Sequence, residues 1–338
     1  MIPVSEIGIV IQGPIQSLGR VLTDLTHRAY DCTDDVKKMI HESIEVGATP
    51  IVSTWSDQKL GSFSENEKNF IFQTSFPQAS LSNSLFNDWN KNSKYRQYYS
   101  TLMGLQKLKS SNCKYVVKVR TDNNVNIRSL IHFVTRLSES EAERFIYSPL
   151  FNLDKPHMFY DFYTFSSVAK LEEFCNVMLY EKEITTNIHF DVFYRWTKHV
   201  MNSRFTLRDL FLIYPNYPRF TSSQLKLIRF GLSDVFRPLP KDIWTNLYWR
   251  GEQLQEQGLK AQYRFAEVAM REVLDEFDQF DYKIQNMFNV NIISIPSFFL
   301  NSRVEVNLSL LAARFKGAVR KLTQFLRKIS NGRQKPST

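Results

Sequence analysis

Residues 115–124 read YVVKVRTDNN, and this stretch decides the fold. It starts as an unbroken apolar run and stops at an aspartate between a threonine and two asparagines. Such a run, closed by polar residues, predicts a buried strand, here over 113–122. Period-two alternation sets Lys118 and Arg120 on one face and Val117 and Val119 on the other. Two readings of the strand end stand side by side. In one, Asp122 closes an Asx-turn or caps a helix over 127–137. In the other, Asp122 is a carboxylate that holds a divalent cation, with Asn124 as a further ligand and Lys118 or Arg120 meeting phosphate.

Outward from this strand the same alternation of elements repeats. IGIVIQ (7–12) is a second buried run, closed by Gly13-Pro14. Residues 33–46 carry apolar positions at 36, 39, 40, 44 and 46, with Thr33 placed to cap and Gly47 to stop, which predicts a helix. TPIVSTW (49–55) and NFIFQT (69–74) predict strands. Tyr98, Leu102, Leu105 and Leu108 form one stripe of a helix over 94–109, and RFIYSPL (144–150) predicts a strand. Strands alternating with helices predict an α/β layer with a mostly parallel sheet flanked by helices. Ligands of such sheets sit beyond the carboxyl ends of the strands. Gln12-Gly13-Pro14, Ser53-Thr54-Trp55 and Arg120-Thr121-Asp122 all fall at such ends.

The second half is less regular. Residues 157–167 predict a strand carrying Asp161, and 171–180 and 192–200 predict helices. His189 and Asp191 fall just before the latter, where Asp191 is either an N-cap or a general base for an acceptor hydroxyl. Prolines at 215, 218, 238 and 240 predict loops and short pieces over 202–240, then a mainly helical 244–278 and a late strand at 289–296. Leu308, Leu311, Phe315, Val319, Leu322, Leu326 and Ile329 recur at steps of three or four, opposite a basic face. That pattern is a basic amphipathic helix, either docked on the body or lying on an anionic membrane surface through 304–335. The expected organisation is an α/β core over 1–205, a mainly helical part over 206–303 and the basic helix and tail over 304–338.

Composition removes several classes. The net charge is +9, but eight of the basic residues follow Glu305, where no acid occurs, so residues 1–305 are nearly neutral. A protein-wide nucleic-acid footprint is therefore absent, and no specific nucleic-acid partner is expected. Neither G-x-G-x-x-G nor G-x-x-x-x-G-K-[ST] occurs, nor any zinc-hydrolase or nucleophile-elbow motif. Three scattered cysteines form no disulfide framework. No basic leader and no run of about 18 apolar residues is visible, so the expectation is a soluble, cytoplasmic chain, peripheral on the inner face of the membrane if the tail binds it.

IGIVIQGPI, PIVSTW, NKNSKYRQYYSTLMGL and KYVVKVRTDNN occur in that order over roughly residues 5–125, and HMFYDFYTFSSVAKLEEF follows. The combination resembles the WavE family of bacterial lipopolysaccharide and capsule synthesis proteins. The resemblance implies an A-type glycosyltransferase fold, to which the residue pattern adds a helical C-terminal extension. Its substrates would be a nucleotide-sugar donor and a glycan or lipid-linked acceptor. It implies that Gln12, Gly13 and Pro14 line the nucleotide site beside Ser53, Thr54 and Trp55. Arg96 and Gln97 would meet base or phosphate, Arg120 and Asp122 would face the diphosphate, and Asp161 would lie near donor sugar or acceptor. It places the Arg120-Thr121-Asp122 block where the D-x-D metal motif stands, so Mn2+ or Mg2+ is the expected cofactor, at Asp122 and, from the residue reading above, Asn124. Only one acid stands where a D-x-D pair would, which leaves Lys118 and Arg120 as the alternative source of positive charge. A non-catalytic membrane- or nucleic-acid-binding module and a sugar nucleotidyltransferase are the competing readings.

Overall fold

The structure is a computed structural model that describes residues 1–20, 27–75, 93–148, 159, 161–180, 188–201, 230–239, 243, 248–250 and 252–253. The predicted strand over 289–296 and basic helix over 304–335 lie outside these residues.

The first element, β1 (Ile7–Gln12), is buried at every position, as befits a strand covered on both faces. A hairpin of β2 (Gln16–Arg20) and β3 (His27–Asp31) follows, then α1 (Thr33–Glu45), β4 (Thr49–Trp55), the short α2 (Glu65–Lys68) and β5 (Ile71–Thr74). Next come α3 (Ser93–Leu108), β6 (Tyr115–Arg120), β7 (Asn123–Asn124), α4 (Ile127–Val134), α5 (Glu139–Arg144) and β8 (Ile146–Ser148). After β9 (Tyr163–Ser167), α6 (Val168–Tyr180) and α7 (Ile188–Val200), a π-helical turn leads into β10 (Phe236–Pro238). A small hairpin of β11 (Tyr248–Trp249) and β12 (Glu252–Gln253) ends the described residues.

Seven strands form the main sheet in the order β10-β8-β9-β6-β1-β4-β5. The β6-β1-β4-β5 half is parallel, and β9 runs antiparallel to β6 and β8. The chain is thus α/β with a mostly parallel, mixed sheet flanked by helices. From β1 it winds outward through β4 and β5, then returns to place β6 on the other side of β1. That reversal makes a topological switch point between the carboxyl ends of β1 and β6.

The two faces of the sheet are distinguishable residue by residue. Ile7, Ile9, Ile11, Tyr115, Val117 and Val119 join a core with Val36, Met39 and Ile40 of α1 and Ile127, Leu130 and Ile131 of α4. The intervening residues of β1 face α3. A Cβ at Gly8 would come 2.5 Å from Leu108, and one at Gly104 would come 2.6 Å from Val10. The two glycines let α3 lie directly on β1, close to Ser53 of β4. Pro50 is tolerated in β4 because Val52 N–H already reaches Phe70 carbonyl, and two residues earlier that same edge precedes the start of β5.

Several expectations change. Cys32, not Thr33, occupies the α1 cap, and the Asp31 carboxylate accepts from Thr33 N–H at 2.9 Å in its stead. Ile44, one of the apolar positions of this helix, is 46% exposed. The helix over 127–134 is capped by Asn126, whose side chain accepts from Ser129 N–H, so Asp122 is not a helix cap. The strand carrying Asp161 begins only at Tyr163, and α6 starts three residues earlier than read. Asp191 lies inside the first turn of α7 rather than before it. Within the stretch read as mainly helical, Tyr248–Trp249 and Glu252–Gln253 are strands, and β10 extends the main sheet beyond residue 205.

Candidate functional site

The carboxyl ends of β1, β4 and β6 lie side by side, with Gln12 in register with both Ser53 and Arg120. Gly13 makes the turn out of β1 at φ 123°, a backbone region that favours glycine, and its absent side chain leaves room for the Thr121 hydroxyl. That hydroxyl donates to Pro14 carbonyl at 2.7 Å, and Thr121 N–H to Gln12 carbonyl at 2.9 Å. Gly13 N–H donates to Ser53 carbonyl at 3.1 Å. These bonds lock the three strand ends together.

Arg120 and Asp122 form a bidentate pair at the end of β6. Arg120 Nε and Nη2 donate to the two carboxylate oxygens at 2.9 and 2.8 Å. A second guanidinium reaches the same carboxylate. Arg250 Nε donates to Asp122 Oδ2 at 3.2 Å, and Arg250 N–H donates to Asp122 carbonyl at 2.9 Å. Arg250 follows β11, which pairs with β7, and it sits at φ 53°. Its guanidinium lies 4.9 Å from the ring centroid of Tyr30 on β3. Burial, and then the Asp122 charge, push the Tyr30 hydroxyl above its ordinary pKa.

Asp161 completes the cluster. Its carboxylate accepts from Gln97 Nε2 of α3, and its Oδ1 lies 3.8 Å from Arg120 Nη1. Its backbone carbonyl accepts from Lys118 Nζ. Burial opposes the Arg120 charge, but the Asp122 and Asp161 carboxylates more than offset it and hold the guanidinium pKa above its ordinary value. Three cationic side chains therefore meet two carboxylates. Lys118 points to the α3 and α6 side, into a cavity of about 10 Å³ lined by Tyr98, Thr101, Thr164 and Cys175 among others. Burial lowers its pKa to about 8, although Asp161 pulls the other way.

A depressed lysine pKa means that the unfolded chain binds the proton more tightly. Stability is reduced below about pH 8, recovers as pH rises toward the ordinary lysine value, and loses this dependence above it. The unfolding midpoint of the native chain should therefore rise relative to that of Lys118→Met between pH 8 and 10. Parallel profiles would contradict the assignment.

The other predicted residues fall into place unequally. Gln12 is 2% exposed and accepts from Ser100 of α3 at 2.7 Å, so it ties helix to sheet. Ser53 and Thr54 are fully buried, and among the described residues their hydroxyls have no hydrogen-bond partner. Trp55 is buried beside Tyr99, which stacks in turn near Tyr95. Pro14 is half-buried. Arg96 is exposed, while its neighbour Gln97 turns inward to Asp161. Asp191 pairs with Arg195 one helical turn on, both at most 1% exposed, and Arg195 also donates to Val177 and Met178 carbonyls near the end of α6.

The donor set does not fit a divalent cation as it stands. Both Asp122 oxygens accept from Arg120, and Asn124 Oδ1 accepts from Lys38 Nζ at 3.0 Å while its amide donates to Asp35. Among the described residues, no three His, Cys, Asp or Glu side chains gather to hold a metal ion. Arg250 and Tyr30 escape sequence reading altogether. The only trace of Arg250 is the Arg-Gly pair between YW and EQ, a turn signal inside a stretch read as helix.

Among the described residues, no helix is long and apolar enough to cross a membrane. No curated protein matches the sequence. The model of the WavE family, described as WavE lipopolysaccharide synthesis, matches residues 7–154, the span from β1 through β8 that holds Arg120 and Asp122, and this is the family that the ordered motifs resemble.

Proposed function

We propose that this protein is a nucleotide-sugar-dependent glycosyltransferase with an A-type fold, acting in surface polysaccharide synthesis. The observation that carries the reading is the charged cluster of Arg120, Asp122 and Asp161 at the β1/β6 switch point. The family description supports a role in lipopolysaccharide synthesis. The fold supports a crevice at the carboxyl ends of the parallel strands.

In this reading the donor diphosphate meets Arg120, and the sugar lies toward Asp161. The acceptor hydroxyl oxygen bonds to the anomeric carbon. The bond from that carbon to the diphosphate oxygen breaks, and its electron pair leaves on the nucleoside diphosphate. The hydroxyl proton passes to Asp161, since the buried pairing of Asp191 with Arg195 gives that carboxylate a structural part. Lys118 and Gln97 hold Asp161 from its backbone and its side chain. A residue fixed from both ends presents its remaining oxygen in one orientation, which favours proton transfer in a defined geometry.

Thermal unfolding with uridine, guanosine, cytidine and adenosine diphosphates tests the donor site. One of them, at about 100 times its dissociation constant, should stabilise the chain by about 2.7 kcal/mol. Asp161→Asn should keep that stabilisation and lower kcat by roughly 10²–10⁴. No response to any of the four would overturn the donor site, and a wild-type kcat would remove Asp161 from the proton transfer. Peripheral membrane attachment through 304–335 is proposed from charge and periodicity. Deleting 306–338 should abolish flotation with anionic liposomes, and undiminished flotation would refute it.

A further inference from the structure

We infer that Arg120 and Arg250, held on the Asp122 carboxylate, form a guanidinium clamp that binds the donor diphosphate in place of a divalent cation; this rests on the nucleotide-sugar reading above. The clamp joins two distant parts of the chain. Arg120 ends β6, inside the stretch matched by the family model, whereas Arg250 lies 96 residues beyond its end at 154. The short antiparallel pairing of Tyr248 with Asn124 and Trp249 with Asn123 brings Arg250 to Asp122.

Three features make the pair an anion site rather than a surface ion pair. The first is charge: Lys118, Arg120 and Arg250 bring three cationic groups to the two carboxylates of Asp122 and Asp161, so this cluster carries one more positive group than negative. The second is orientation. Arg120 is fixed bidentately, and Arg250 is fixed by its side chain, by its own backbone N–H and by the face of Tyr30. Planar guanidiniums fixed in this way match phosphate oxygens without further loss of side-chain freedom. The third is the arrangement at Asp122 and Asn124, where nitrogen donors occupy the oxygens that a cation would need. The backbone of Arg250 at φ 53° is unusual for a branched-chain-free but bulky residue, and such geometry persists only where surrounding contacts hold it. Asp122 is then a positioning residue for the two arginines, and the role expected of it as a metal ligand passes to them.

Calorimetric titration of the full chain with each of the four nucleoside diphosphates, in EDTA and then in Mn2+, tests the clamp. The expected result is binding in EDTA with affinity within about threefold of that in Mn2+. Arg250→Ala should weaken it at least tenfold. Arg250→Lys keeps the charge and loses the planar fork, so it should weaken binding by a comparable factor while unfolding at the wild-type temperature. Binding that requires Mn2+, or that survives both Arg250 variants unchanged, overturns the clamp and leaves the glycosyltransferase reading intact. Absence of binding under both conditions instead overturns the reading on which the clamp rests, and the clamp with it.

Discussion

Asp122→Asn should lower sugar transfer by at least about 10²-fold while the chain stays folded, the size of effect seen when one preorganised charge-stabilising contact is lost. The substitution keeps the shape of the side chain and removes its charge. Arg120 then loses one of two charge-assisted bonds, and Arg250 faces Arg120 across a neutral amide. The two guanidiniums repel each other and lose their common orientation toward the diphosphate. The stability cost should stay below the roughly 3–5 kcal/mol of breaking a fully buried pair, because the Arg120 and Arg250 side chains retain 21% and 14% exposure. Steady-state transfer, measured well below the unfolding temperature of the variant, separates the two effects. A transfer rate within twofold of wild type would show that Asp122 has no part in the site.

The second large effect is on stability. Arg195→Met removes the guanidinium with which Asp191 pairs, in a setting where both side chains are at most 1% exposed. It also removes the donor to Val177 and Met178 carbonyls near the end of α6. A charge left in that interior costs about 3–5 kcal/mol, so the denaturation midpoint should fall sharply with little change in slope. The double variant Asp191→Leu with Arg195→Met should recover most of the loss, since a buried ion pair replaced by apolar groups is often close to neutral. A loss under 1 kcal/mol in the single variant would contradict the structural part assigned to Asp191.

Periodicity and buried runs were legible from the sequence where strands are long and covered on both faces. Ile7–Gln12 and Thr49–Trp55 begin and end where apolar continuity and their turn residues place them. The shared face of Lys118 and Arg120 also follows from alternation alone, and Lys118 does turn to the α3 and α6 side. What escaped depends on contacts between residues far apart in the chain. Strand order cannot be read from local pattern, yet the switch point between β1 and β6 depends on it. The two-residue strands β7 and β11 carry too little sequence to show a period, and Arg250 reaches Asp122 only through their pairing. Asp191 looked like a helix cap or a base because an acid before an aromatic run fits both. Its burial and its partner one turn along are set by how α6 and α7 pack. Ile44 matched the helical stripe and is nevertheless 46% exposed, although its neighbours Ser43 and Ala48 are buried.

The central proposal is that this chain transfers a sugar during lipopolysaccharide synthesis through the cluster at Asp122. Its most direct test is the mass of the lipopolysaccharide glycan in cells whose own gene is replaced by the Asp122→Asn variant. The account predicts the same truncated glycan as in cells lacking the gene, with the variant present at wild-type level. A glycan of wild-type mass and composition in those cells would contradict it.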